Sequence, residues 1–553
     1  MARRILRFTA VVLTSLWALF GQNLTLLRAA SAETAGNSFY VSPAGQPGGD
    51  GSIGNPWDLQ TALNGPAAVH PGDTIWLRGG TYRGTFASNL NGTSSSPILV
   101  RQYAGERATL DGGNSNHVNI LTVSGSYTWY WGFEIMSSDP TRVSAQTGSN
   151  PTDVGRGGAV AIAQTSTTGA GLKFINLIVH DAAGGFGLWE QAIGAEVYGC
   201  VIYYNGWTAP DRGHGHGIYL QNLDGNGYMR VADNIVFSNF SHGIQVFGSA
   251  AASLDNVSIQ GNTFFDSGMP SDYQRNVLVG GGSIALNPRI VDNVLYYPGT
   301  AGQNLNVGYD PYGVGAANPI ITGNYVVNGD NQFSPLNTNV TMTGNSFYST
   351  VYGSISSLFP ANTYSPNARP TASGGFLRAN QYESGRANFT VLNWGNATSV
   401  GVDLSSVLPS GTAYEIRNAQ NFFGGAIVRG TYLGGAVTIP LSASAPAPVV
   451  GYSTPPSTGP QFAAFVILSV TSGTAPAPTS TPFAPTPTPT PTPRTTVATA
   501  TPTPRTTVPT ATPTPGLTST PRVTSTSTPT PAPRPARENG NGARKTPRIV
   551  GFR

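Results

Sequence analysis

Residues 232–239 of this 553-residue chain read ADNIVFSN: a small polar pair ending in Asn234, an apolar run, then another polar pair. The same grammar recurs on both sides. FINLIVHD (174–181), YGCVIYYN (198–205), QGNTFFDS (260–267), VDNVLYYP (291–298), TGNYVVNG (322–329) and TGNSFYST (343–350) follow it. Marking Asn176, Cys200, Asn234, Asn262, Asn293, Asn324 and Asn345 gives steps of 24, 34, 28, 31, 31 and 21 residues. Such steps suit a solenoid with loops of variable length. Short runs rich in Val, Ile and Phe suit parallel strands buried on both faces. Side-chain amides stacked at each turn can bond to the coils on either side, so the Asn column is read as structural. Cys200 falls in that column and is read as a small buried filler.

Upstream, FYVSPAG (39–45), NPW (55–57), PGDTI (71–75), GTYRG (80–84), PI (97–98) and DG (111–112) follow in order, with LQTALNGPAAV (59–69) suited to a short capping helix. This order resembles the opening of secreted right-handed parallel β-helix proteins of the pectate-lyase-like superfamily. The fold class expected is therefore all-β: a right-handed parallel β-helix over residues 33–370. From about Gly375, short alternating segments at turn spacings of about eight to twelve residues predict a β-sandwich over 371–472. It would bind glycan, cap the end of the solenoid or pack against it, the last two being favoured.

The two ends differ in kind. Arg3, Arg4 and Arg7 precede the apolar run Val11–Phe20, and Ala30-Ser31-Ala32 supplies a small-residue cleavage site. Residues 1–32 thus read as a signal peptide, which implies a secreted or cell-surface protein. The apolar run is shorter than the ~20 residues of a membrane span. Residues 473–553 are rich in Thr and Pro and read as an extended stalk with a basic end. The formal charge of +4 hides the sign of the folded part. Taking off +4 for the leader arginines and +8 for the tail leaves −8 for residues 33–472. That argues against a nucleic-acid partner. The expected partner is a polysaccharide or a cell-surface glycan, and a monomer is expected. One cysteine excludes an internal disulfide.

Chemistry concentrates in DRGHGHGIYLQN (211–222), which holds two of the six histidines. Aligning GFGLWEQ (185–191), GHGIYLQ (215–221) and SHGIQVF (241–247) stacks Leu188, Ile218 and Ile244 inward. Trp189, Tyr219 and Gln245 then form an outward column, and Phe186, His216 and His242 another at the strand entrance. Trp207 would wall the groove, and His180 and Asp181 would reach it if their turn folds back. Three chemistries fit. In a polysaccharide lyase, as the resemblance suggests, His214 or His216 is the base, Tyr219 the proton donor and Arg212 the carboxylate neutraliser. In a glycoside hydrolase, Glu190 and Asp211 are the two carboxyls, ~5–5.5 Å or ~6.5–9.5 Å apart. In the third, the protein binds glycan without catalysis. His214 is the first residue to test. Calcium is the cofactor used by some relatives, but no Asp cluster for it is evident. A zinc site from His214, His216 and His242 is a further arrangement.

Overall fold

The structure is a computed structural model that describes residues 36–470, apart from 164–168, 274, 372 and 443. The expected signal peptide and stalk lie outside the described residues. Residues 38–364 wind into a right-handed parallel β-helix with three strands to a coil. The first face is an eleven-stranded parallel sheet, and the second and third run together into one of nineteen strands. The short helix Leu59–Leu63 covers the N-terminal end, its first turn capped by Asp58 accepting from Thr61 N. At the other end Ile355, on the turn Ile355–Leu358, joins the solenoid core.

The repeat seen in the sequence is the corner between the first and second faces. Asn234, Asn262, Asn293 and Asn324 each donate through Nδ2 to the Oδ1 of the next asparagine, at 2.8–3.0 Å. Asn345 continues the ladder to Asn362, one coil beyond the sequence repeat. The side-chain amides of this ladder are thus paired, which removes the roughly 1–3 kcal/mol an unpaired one would cost. Cys200 stands in the column with its amide on Asn234 Oδ1. Asn176 does not. Ile178 pairs with Val201, so Leu177, not Asn176, lies level with Cys200.

Asn176 belongs to the preceding column, with Gly199, Asp233, Gly261, Asp292, Gly323 and Gly344, all at positive φ. A left-handed residue is needed to turn the chain sharply before the ladder position, and Gly, Asn and Asp adopt that conformation most readily. This explains the GN and DN pairs of the repeat.

The C-terminal unit pairs a five-stranded antiparallel sheet with a two-stranded one, around Phe389, Val391, Leu404, Ile416, Ile439 and Ile467. It does not cap the solenoid's end. It lies along the flank, where Leu392, Phe422, Phe462 and Val466 bury the outer side of Val201, Tyr203, Ile235, Phe237 and Phe265. Its strand edges also read the left-handed column: Asn380 donates to Asn176, Asn388 to Asp233 O and Arg378 to Asp292 O. The second face is apolar outside as well as inside because this unit covers it.

Candidate active site on the third face

The third face carries the strands Phe186–Leu188, His216–Leu220, His242–Val246, Arg275–Val279 and Gln303–Val307. Phe186, Ile218, Ile244, Val277 and Leu305 align inward, as do Leu188, Leu220, Val246, Val279 and Val307. The first of the three aligned rows is therefore two residues out of step. Leu188 pairs with Leu220, not Ile218, and Gly187 rather than Trp189 faces Tyr219. Trp189 still reaches the groove, its ring centroid 5.4 Å from that of Tyr219. Phe186 is a core residue and has no place in the histidine column.

His216 and His242 do pair across neighbouring strands, and Tyr219 pairs with Gln245. The column continues to Arg275 and Gln303, and the outer row to Leu278 and Asn306. His216 is half-buried, 5.5 Å from His242 and 5.2 Å from Tyr219 between ring centroids. His242 Nδ1 and Ser241 Oγ share a hydrogen bond of 2.8 Å, and the ring packs edge-on against Tyr273 at 5.9 Å. Arg275 Cζ lies 5.0 Å over the Tyr273 ring. Burial pushes the His216 ring down to about 4, opposed in part by a hydrogen bond to Gln245. His242 is held well below the usual range, first by burial, then by the charges of His216, Arg275 and Arg212. Both rings are neutral at neutral pH, the form that accepts a proton. Tyr273 and Arg275 were not legible as site residues, because SDYQRNVLV shares no HGI-like triplet with the rows above it. Its 33-residue offset from His242 was the only signal.

The antiparallel pair Trp207–Thr208 and Gly213–His214 forms a hairpin just before the strand of His216. His214 is 3% exposed, stacks on Trp207 at 5.2 Å and 7°, and bonds through Nε2 to Asp211 Oδ1 at 3.1 Å. It is packed inside the hairpin and does not face the groove, and Trp207, 9% exposed, is its partner and not an open wall. Asp211 also accepts from Arg212 and from Gly148 N, and its carboxyl is held low, chiefly by the His214 hydrogen bond. The hairpin is thereby tied to the loop 139–156, where Ser149 receives a second hydrogen bond from Arg212. Arg212 remains near enough to His216 and His242 for its charge to lower both.

Glu190 and His180 also fall outside the groove. Glu190 lies in the turn beyond the strand Phe186–Leu188, its carbonyl accepting from Asn226, whereas Asp211 sits in the hairpin that precedes the strand of His216. The two carboxyls are not brought together. His180 lies on the second face under the C-terminal unit, the end ring of a stack that runs through Tyr203, Phe237 and Phe265 at 4.7–4.9 Å. Its turn does not fold back to the groove. Burial works against its charge, but hydrogen bonds to Asp181 and Glu134 raise it to about 9. Buried Arg142 bonds Asp181, then Tyr204 O and Gly206 O at the root of the hairpin.

Among the described residues no group of three or more His, Cys, Asp or Glu is placed to hold a metal. The three-histidine zinc arrangement does not form, because His214 points into the hairpin. Nor is any helix among them long and apolar enough to cross a membrane.

Residues 39–154 match the family described as "Pel9A-like, right handed beta helix region". A pectate lyase, PEL9, of Emericella nidulans is 35% identical over 99 residues, 17% of this chain and 23% of that protein. A pectate disaccharide-lyase of Dickeya chrysanthemi is 33% identical over 98 residues, 18% of this chain and 12% of that one. The chain thus spans less than a quarter of the length of these curated relatives. Among solved structures, pectate lyase Pel9A aligns over 61% of this chain and 82% of its own, at 20% identity and a TM-score of 0.41. The sequence matches support the pectate-lyase-like β-helix superfamily. The family match ends at residue 154, before the first of the groove residues.

Proposed function

We propose that the chain is an exported lyase of acidic polysaccharides, acting in the groove of the third face. The observation that carries this is His216, neutral and half-buried, 5.2 Å from Tyr219, with Arg212 near enough to lower it and Arg275 two strands along the same column. β-Elimination from a uronate needs a base for the proton α to the carboxylate, a cation against that carboxylate and a proton for the leaving oxygen. His216 takes the proton, Arg212 and Arg275 hold the carboxylate, and Tyr219 protonates the leaving oxygen. A bound carboxylate beside His216 would raise its basicity from the resting value. Trp189 and Gln245 offer a ring face and an amide to neighbouring sugars. The hydrolase alternative is weaker, since Glu190 sits in the turn after its strand and Asp211 is held in the hairpin before His216, on bonds to His214 and Arg212. A non-catalytic glycan-binding role is the competing outcome.

The test follows ultraviolet absorbance and reducing ends together on polygalacturonate, alginate and neutral glycans. A lyase forms an absorbing unsaturated product, which His216→Ala abolishes while the melting curve is kept. Reducing ends without absorbance, or full activity in His216→Ala, overturns the proposal.

A further inference from the structure

The outer side of the first face holds a second built surface. Tyr40, Trp76, Arg101 and Trp131 stand in register on four successive strands. With coils ~4.8 Å apart, the column runs ~14 Å parallel to the solenoid axis. Tyr103 packs beside it, 6.1 Å from Tyr40 and 5.9 Å from Trp76. Farther along, the C-terminal unit covers the same surface. Tyr382 packs edge-on against Trp129, Trp131 and Tyr198 and receives Lys173 Nζ. That cover stops at Trp131. Tyr40, Trp76, Arg101 and Tyr103 are half-buried and lie beyond it.

Arg101 is the exception among the cations here. Arg78 pairs with Glu106, Lys173 and Arg230 with Glu196. The Arg101 guanidinium lies 4.1 Å from the centre of Trp131 and 5.8 Å from that of Trp76, and among the described residues it makes no hydrogen bond or ion pair. The acid it senses is Glu383, whose Oε2 is taken by Trp131 Nε1 and Asn176. A column built for packing alone would pair this charge as its neighbours are paired. Here the aromatic rings fix the plane of the guanidinium and leave its donors unused.

We infer that this column is a second, non-catalytic platform that binds an acidic polysaccharide chain lying along the solenoid axis. Trp76 and Tyr103 cover sugar rings, and Arg101 donates to a carboxylate as planar guanidinium groups do. A single cation on a body of net −8 does not suit a membrane surface, which needs a cluster. A linear polymer with ring faces and regular carboxylates matches a linear column of rings with one free guanidinium.

The experiment measures retention of the full chain by polygalacturonate and by alginate in native affinity gels, with methyl-esterified polygalacturonate as the uncharged control. It is run in a His216→Gln background, so that failure of the groove proposal leaves the comparison standing. Arg101→Gln and Trp76→Ala are each expected to weaken retention by the acidic polymer about tenfold, and Arg101→Gln to leave the esterified form unaffected. With the groove intact, Arg101→Gln should keep its turnover of short oligosaccharides. Parent-like retention in both variants overturns the inference, as does equal loss on acid and ester, or no retention of the parent by either acid. Should Trp76→Ala lower the melting temperature, Arg101→Gln alone decides.

Discussion

His216 and His242 stand on neighbouring strands with ring centroids 5.5 Å apart and planes tilted by 35°. Burial, not an acidic partner, is the first cause of both lowered pKa values. In the unfolded chain each returns towards 6.5, so the unfolded state binds more protons between about 4 and 6.5. Stability therefore rises with pH across that window and is lost as pH falls through it. His216→Gln should flatten the slope, gaining roughly 1–3 kcal/mol at pH 4.5 relative to pH 7.5. Urea unfolding at the two pH values measures it, and an unchanged slope would contradict the burial argument.

Arg275 extends this column by one strand. Arg275→Gln should lower kcat/KM on an acidic polymer by about 10²-fold, with a much smaller effect on any methyl-esterified substrate that is turned over. Equal losses on both would remove the guanidinium from the carboxylate.

His214 acts through the hairpin. His214→Ala deletes the stack on Trp207 and the bond to Asp211, and should cost about 1–3 kcal/mol. The expected kinetic signature is a raised KM with faster proteolytic nicking near residues 207–213, and a smaller change in kcat. A loss confined to kcat, with the hairpin still resistant, would return His214 to direct catalysis.

Asp266 is 4% exposed, its Oδ1 has no hydrogen-bond partner, and burial raises it from 3.8 to about 8. Its folded form must hold a proton, so it costs nothing below pH 4 and costs progressively more as pH rises to about 8. Asp266→Asn keeps a residue suited to φ 53°. It should stabilise the protein by roughly 2–5 kcal/mol at pH 8 and by little at pH 4. Melting curves at the two pH values decide it.

Cys200 is fully buried, and burial pushes its thiol up to about 12. A thiol reagent should label it only at the rate of unfolding. Rapid labelling of the native protein would show that the ladder opens locally.

The solenoid was legible because its physics is local. An Asn that must satisfy a buried amide, followed by residues buried on both sides, leaves a repeat in the letters, and the ladder from Asn234 to Asn345 follows it. The one-residue slip at Asn176 and the two-residue slip at Leu188 share a cause. Register is set by pairing between strands some 25–35 residues apart, and similar triplets such as GFG and GHG do not fix it. The groove was half legible: His216, His242, Tyr219 and Gln245 were found together, whereas Arg275 and Tyr273 lie in a coil without the motif. Charge and hydrogen-bonding potential made His180, His214 and Glu190 look alike.

The amino-acid sequence by itself determined that this chain coils and where it turns, because each rests on contacts a coil makes with the next. Only the tertiary structure decided which side chains are available. His180 lies beneath the C-terminal unit, His214 is shut inside a hairpin, and Glu190 ends up in the turn beyond its strand, while His216 keeps one side open. Availability depends on what packs over a residue from distant parts of the chain, and no local pattern encodes that.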